Sequence, residues 1–115
     1  MLEEFEDLGV YPRELGVLDM AFKRPASRVY GAEVYPTIWQ KAAAQTESLI
    51  TWKPMLDNNR KAAWHALNIF LAANQHWVAA TRDDAEVFCQ AIESGSLSLA
   101  DAAAWIASRS LPRAR

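Results

Sequence analysis

The residues best suited to chemistry lie in one short stretch, Lys53-Pro-Met-Leu-Asp57-Asn58-Asn59-Arg60-Lys61. It holds a carboxylate, two side-chain amides and three cations. An acid, turn-forming polar residues and a basic pair at the start of a helix form a pattern suited to phosphate. The N–H groups of a first helical turn point at the anion, basic side chains neutralise it, and a carboxylate positions a divalent cation. Taken alone, Asp57-Asn58-Asn59 is equally an ordinary turn and helix cap. Lys53 and Asp57 are equally an ordinary surface ion pair of little energetic weight. Two histidines (His65 and His76) and one cysteine (Cys89) leave no material for an internal disulfide or a cysteine-rich zinc site. Cys89 reads as packing within a helix. His65 follows Lys61 by four residues and reads as an outward position.

The elements that position this stretch follow from its prolines, caps and apolar spacing. Alanine is abundant and long β-branched runs are absent, which favours helix. Pro12 suits a first helical turn, with Leu15, Leu18 and Phe22 on one side and Pro25 ending the segment. Residues 26–34 read as a loop with strand character at Val29-Tyr30 and a turn at Gly31. Pro36 opens the next helix, which Pro54 ends. A third helix starts at Asn58 or Asn59 and runs to Asn74, which is suited to a left-handed cap. Thr81-Arg-Asp-Asp84 has the form of a capping box and Gly95 stops the helix that follows. Ser98-Leu-Ala-Asp101 repeats the signal for a last helix to about Arg109. The five tryptophans (Trp39, Trp52, Trp64, Trp77 and Trp105) sit on or beside helices, where most read as packing residues.

The 115 residues suffice for one domain, 1–115, and the charged fraction of 23% argues against wholesale disorder. Twelve basic against fourteen acidic residues disfavour nonspecific binding of nucleic acid. No apolar run approaches the ~20 residues of a membrane span. The acidic start, Met1-Leu-Glu-Glu-Phe-Glu-Asp7, has the wrong sign for a secretion or transit signal, so a cytoplasmic location is expected. The acidic first segment and the basic tail over 110–115 read as two solvated ends, or else as sites for a partner.

The stretch at 53–61 resembles the Fic-superfamily signature, His-x-[Phe or similar]-x-Asp-[Gly/Ala]-Asn-Lys-Arg. The segments Gly16-Val-Leu-Asp19, Arg24-Pro25, Tyr30-Gly31, Tyr35-Pro36, Lys41-Ala-Ala-Ala44, Ala63-Trp64 and Phe70-Leu-Ala-Ala-Asn74 resemble its death-on-curing (Doc) branch. The resemblance covers residues 12–109. It implies an all-α fold, a compact Fic/Doc-like bundle of about five helices with a short flap. The family's first helix is shortened, replaced or missing here, which leaves an apolar N-terminal face for another chain, a second copy included. By the same resemblance, Fic proteins mostly transfer AMP, and the Doc branch transfers phosphate, to a hydroxyl of a protein target. For Doc that target is a translation elongation factor. The setting is a bacterial or phage-borne toxin with a small antitoxin.

Carried over residue by residue, the resemblance assigns Asp57 to Mg²⁺ and Asn58, Asn59, Arg60 and Lys61 to the phosphates of ATP. Arg60 and Lys61 stand in swapped order, which changes the geometry of phosphate contact because one is a planar fork and the other a point charge. Asn58 stands where Gly or Ala is usual; it tolerates positive φ but fills space near the phosphate. Val29, Tyr30 and Gly31 fall in the family's flap, which aligns a target strand, or else in a plain connecting loop. Trp52 reads as packing or as partner contact.

The largest departure is Lys53 at the position of the catalytic histidine. A free lysine releases its proton near ~10.4, so only about one molecule in 10³ is neutral at pH 7. Using it as a base requires lowering that value by roughly 3, about 4 kcal/mol. The expectation is therefore a Doc-like toxin-type protein with a decayed transfer site that acts by binding a bacterial protein. The alternative is a working Mg-ATP-dependent phosphate- or AMP-transferase.

Overall fold

The computed structural model describes residues 2–113, so the last two residues of the expected basic tail lie outside the described residues. Among the described residues there are six α-helices and two short antiparallel ribbons. The helices are α1 (Leu2–Asp7), α2 (Leu15–Lys23), α3 (Ile38–Thr51), α4 (Asn59–Ala73), α5 (Arg82–Ser94) and α6 (Leu99–Arg109). The strands are β1 (Arg28–Val29), β2 (Ala32–Glu33), β3 (His76–Val78) and β4 (Ser110–Pro112). None of these helices is long and apolar enough to cross a membrane.

Helix α3 is the central element. Its buried residues Ala42, Ala43, Ala44, Thr46, Ser48, Leu49 and Ile50 are mostly small, so α4, α5 and α6 can all pack against it. Its start is a capping box: Gln40 N–H donates to Thr37 Oγ1 (3.1 Å) and Thr37 N–H to Gln40 Oε1 (3.0 Å). Pro36, read as opening the helix at or near its first position, directly precedes this cap. Three aromatic rings join α4, α5 and α6: Phe88 and Trp105 stack with centroids 4.0 Å apart, and Trp64 meets both edge-on.

Helix α2 begins at Leu15, later than Pro12 suggested. Pro12 instead forms an isolated antiparallel bridge with Met55, and Leu15 is exposed while Leu18 is buried. Its end runs into a single 3₁₀ turn, Arg24–Ala26. The segment at 28–33 is a two-residue-loop hairpin, with Arg28 opposite Glu33 and Val29 opposite Ala32. Tyr30 and Gly31 form its turn at φ 51° and 81°, the paired positive values that suit the right-handed twist of a hairpin.

The two chain ends are structured beyond what their charge suggested. Phe5 and Val10 are fully buried, Phe5 beside the rings of Phe22 and His65. The six-residue α1 thus lays an apolar side chain over the N-terminal face. His65, expected outward, is half-buried beneath it because that face of α4 is covered. At the other end β4 pairs with β3, Trp77 opposite Leu111 and Val78 opposite Ser110. The turn after α4 places its left-handed residue at Gln75 (φ 66°), while Asn74 stays at φ −103° and donates its side chain to Phe70 O.

Candidate functional site

The stretch at 53–61 connects α3 to α4 and is gripped from the N-terminal side. Arg13 and Glu14 N–H groups donate to Pro54 O (2.8 and 3.1 Å), and Leu56 N–H donates to Tyr11 O (2.9 Å). Arg13 Nη2 reaches Lys53 O at 2.9 Å. Asn59 ties the loop to itself, its Oδ1 accepting from Met55 N–H at 3.0 Å. Met55 and Pro54 are buried beneath. The loop is therefore fixed in shape by main-chain bonds, and the side chains at 53, 57 and 58 are left to face outward.

Two residues here have left-handed backbones, Lys53 (φ 50°) and Asn58 (φ 55°, ψ 37°). Asn58 takes the positive φ expected of it and precedes α4 without a side-chain capping bond. The N–H groups of the first turn of α4 are thus left uncapped by their own cap residue. A left-handed lysine is uncommon and costs of order 1–2 kcal/mol.

A cavity of about 610 Å³ opens beside this loop. Lys53 and Asn58 to Lys61 form one wall, with Trp64 behind them; Arg82, Ala85, Glu86, Cys89 and Glu93, all on α5, form the other. The volume is in the range of small-ligand sites. Four cations against two carboxylates leave it cationic. Lys53 Nζ pairs across it with Glu93 Oε2 at 2.9 Å, both side chains partly exposed. That hydrogen bond, with the charge behind it, holds the Glu93 carboxyl below its ordinary value; Arg60 adds to the effect. Burial pushes the Cys89 thiol up to about 11, against the pull of Arg60 and with the help of Glu86 and Glu93. Cys89 is thus an unreactive thiol on the cavity wall. Lys61 lines the cavity and also donates to Leu8 O at 3.1 Å, at the end of α1.

Of the residues singled out in the sequence, the fold brings Lys53, Asn58, Asn59, Arg60 and Lys61 to this one cavity. Asp57 does not line it; the carboxylate is exposed and accepts a long contact (3.4 Å) from Asn58 Nδ2. A Mg²⁺ ion on phosphates relies on such a carboxylate. The carboxylates that do line the cavity are Glu86 and Glu93, and among the described residues no group of three or more His, Cys, Asp or Glu is placed to hold a metal ion. Trp52 also lies off the wall, its ring 5.8 Å from the Arg24 guanidinium. Arg24 joins the base of the hairpin to α3, bonding Tyr35 Oη, Ala44 O, Glu47 and Ser48 Oγ. Burial opposes its charge, and the bonds to Glu47 and Tyr35 more than offset that. Val29, Tyr30 and Gly31 stand exposed at the hairpin, away from the cavity lining. His65 does not line the cavity either. The α5 wall was not found by motif; its only sequence signal is the spacing of Arg82, Glu86, Cys89 and Glu93 along one helix face.

Comparison with curated proteins gives 42% identity over 71 residues to Toxin Doc of Mycolicibacterium smegmatis (strain ATCC 700084 / mc(2)155), covering 62% of this chain and 55% of that protein. The chain is similar to a Doc toxin. It spans about half the length of this curated Doc relative. No protein-family model matches the chain, and no solved structure does. The Doc likeness and the helical fold agree with the fold class read from the sequence.

Proposed function

We propose that this Doc-like protein has lost group transfer and acts by binding a bacterial protein, within a toxin–antitoxin setting in which a small antitoxin covers it. The observation that carries this reading is the Lys53–Glu93 pair at 2.9 Å. Transfer to a hydroxyl needs a group that accepts its proton. An ammonium bonded to a carboxylate is a donor with no lone pair to offer. Asp57, the acid assigned to the metal by resemblance, is not among the residues lining the same cavity. What remains is a cationic pocket and, away from its lining, an exposed hairpin with Val29 on its strand and Tyr30 in its turn, features that suit recognition.

One observation favours a second reading, a transferase with altered chemistry. The cavity is large enough for a nucleotide and keeps Arg60 and Lys61 on its wall. Expression in a bacterial host separates the two. The binding reading expects growth arrest to survive both Lys53→Ala and Asp57→Ala. Arrest abolished by both changes would favour the transferase and remove the binding reading.

A further inference from the structure

The cavity has cations on both walls, and they belong to different helices. Arg60 and Lys61 sit at the start of α4; Arg82 sits in the first turn of α5. Lys53 is neutralised by Glu93, and Lys61 is partly engaged by Leu8 O. The Arg60 and Arg82 side chains make no hydrogen bond or ion pair among the described residues. Arg60 acts on Glu93 through its charge alone, so both guanidiniums keep their donors for a ligand. Asp84, near Arg82 in sequence, is committed elsewhere, to Arg109 at 3.0 Å. Glu86, one turn along α5, also lines the cavity and makes no ion pair with Arg82 within bonding distance. The volume of about 610 Å³ is the liquid share of roughly twenty waters at ~30 Å³ each. One phosphate group fills only a small part of that.

We propose that Arg82 forms a second anion subsite of this cavity, so that the site takes an anion with two phosphate-class groups and needs no metal ion to hold it. One group rests on Arg60, Lys61 and the uncapped first turn of α4. The other rests on the Arg82 fork, whose planar donors match two phosphate oxygens. The metal-free form is argued from the lining: four cations against two carboxylates leave a net positive site, and Asp57 is not among the wall residues. The inference deepens the binding reading above, since it describes what the pocket holds without transferring it.

The test is equilibrium binding of sodium pyrophosphate and of sodium orthophosphate to the full chain, at fixed ionic strength without Mg²⁺, by calorimetry or NMR shift perturbation. Pyrophosphate is expected to bind at least about tenfold more tightly than orthophosphate. Arg82→Ala is expected to weaken pyrophosphate about tenfold and leave orthophosphate unchanged. Lys23→Ala makes the same charge change on α2, away from the cavity, and is expected to alter neither. Equal affinity for the two anions, no binding of either, or equal effects of Arg82→Ala and Lys23→Ala would overturn the proposal. Because Arg82 is exposed, its removal leaves the fold intact, which the helical circular dichroism of the variant verifies. Transfer activity with Mg-ATP is a separate readout, so the loss of the binding-protein reading and the loss of this subsite are told apart.

Discussion

At position 53 the fold spends backbone strain to aim an amine across a cavity. The left-handed φ of 50°, the Arg13 bond to its carbonyl and the Glu93 bond to its ammonium act together. The linkage sign is that of a depressed carboxyl. Glu93 contributes stability above its ordinary unfolded value, and that contribution is lost as pH falls through its lowered folded value. In Lys53→Met, Glu93 is therefore expected to titrate at a higher pH than in the wild type, as carboxyl-detected NMR would record. An unchanged midpoint would mean that the pair does not form in solution. Cys89 offers a second measurement. Burial holds its thiol at about 11, so labelling by a thiol reagent at pH 8 is expected to be slow in the folded protein. Labelling should become fast in denaturant. Fast labelling of the native protein would contradict the buried placement.

Among the elements, α1 and the 53–61 loop depend on each other. Phe5 anchors α1, the segment after it bonds the loop, and Lys61 bonds the end of α1. Phe5→Ala is expected to lower stability by about 3 kcal/mol, as seen for buried aromatic truncations, measured by urea unfolding. Asn59→Ala leaves the Met55 N–H without its acceptor and is expected to cost about 1–2 kcal/mol, while Asn59→Asp, which keeps the acceptor, costs less. A loss of the same size in both would show that the bond is not what holds the loop. The later helices were legible because their signals are local: Thr81 and Ser98 cap α5 and α6, and Gly95 closes α5 with φ 79°; α1 was not, its acidic sequence reading as a solvated end. The β3–β4 ribbon was not, because its pairing joins His76 to Pro112 across two helices and no local pattern announces it. His65 was misplaced for a similar reason. Helical spacing says which residues share a face but not that α1 covers that face.

At the scale of the whole molecule, the candidate site is an assembly of two walls read with unequal success. The motif wall was legible from residue types and order, since Lys53, Asn58, Asn59, Arg60 and Lys61 reach one cavity. The α5 wall was not, since Arg82, Glu86 and Glu93 look like solvated helix charges until tertiary packing turns α5 toward α4. Asp57 differs from both: the motif marks it, and its carboxylate stands outside the lining. The proposal to be tested is loss of group transfer, with Lys53 standing where the resemblance expects a histidine. The direct measurement is incubation of the purified chain with bacterial lysate, Mg²⁺ and ATP labelled at the γ- or α-phosphate, followed by mass spectrometry of the lysate proteins. The account predicts no phosphate or AMP added above a control without the chain. A protein that gains either group, with the gain abolished by Asp57→Ala, would contradict it.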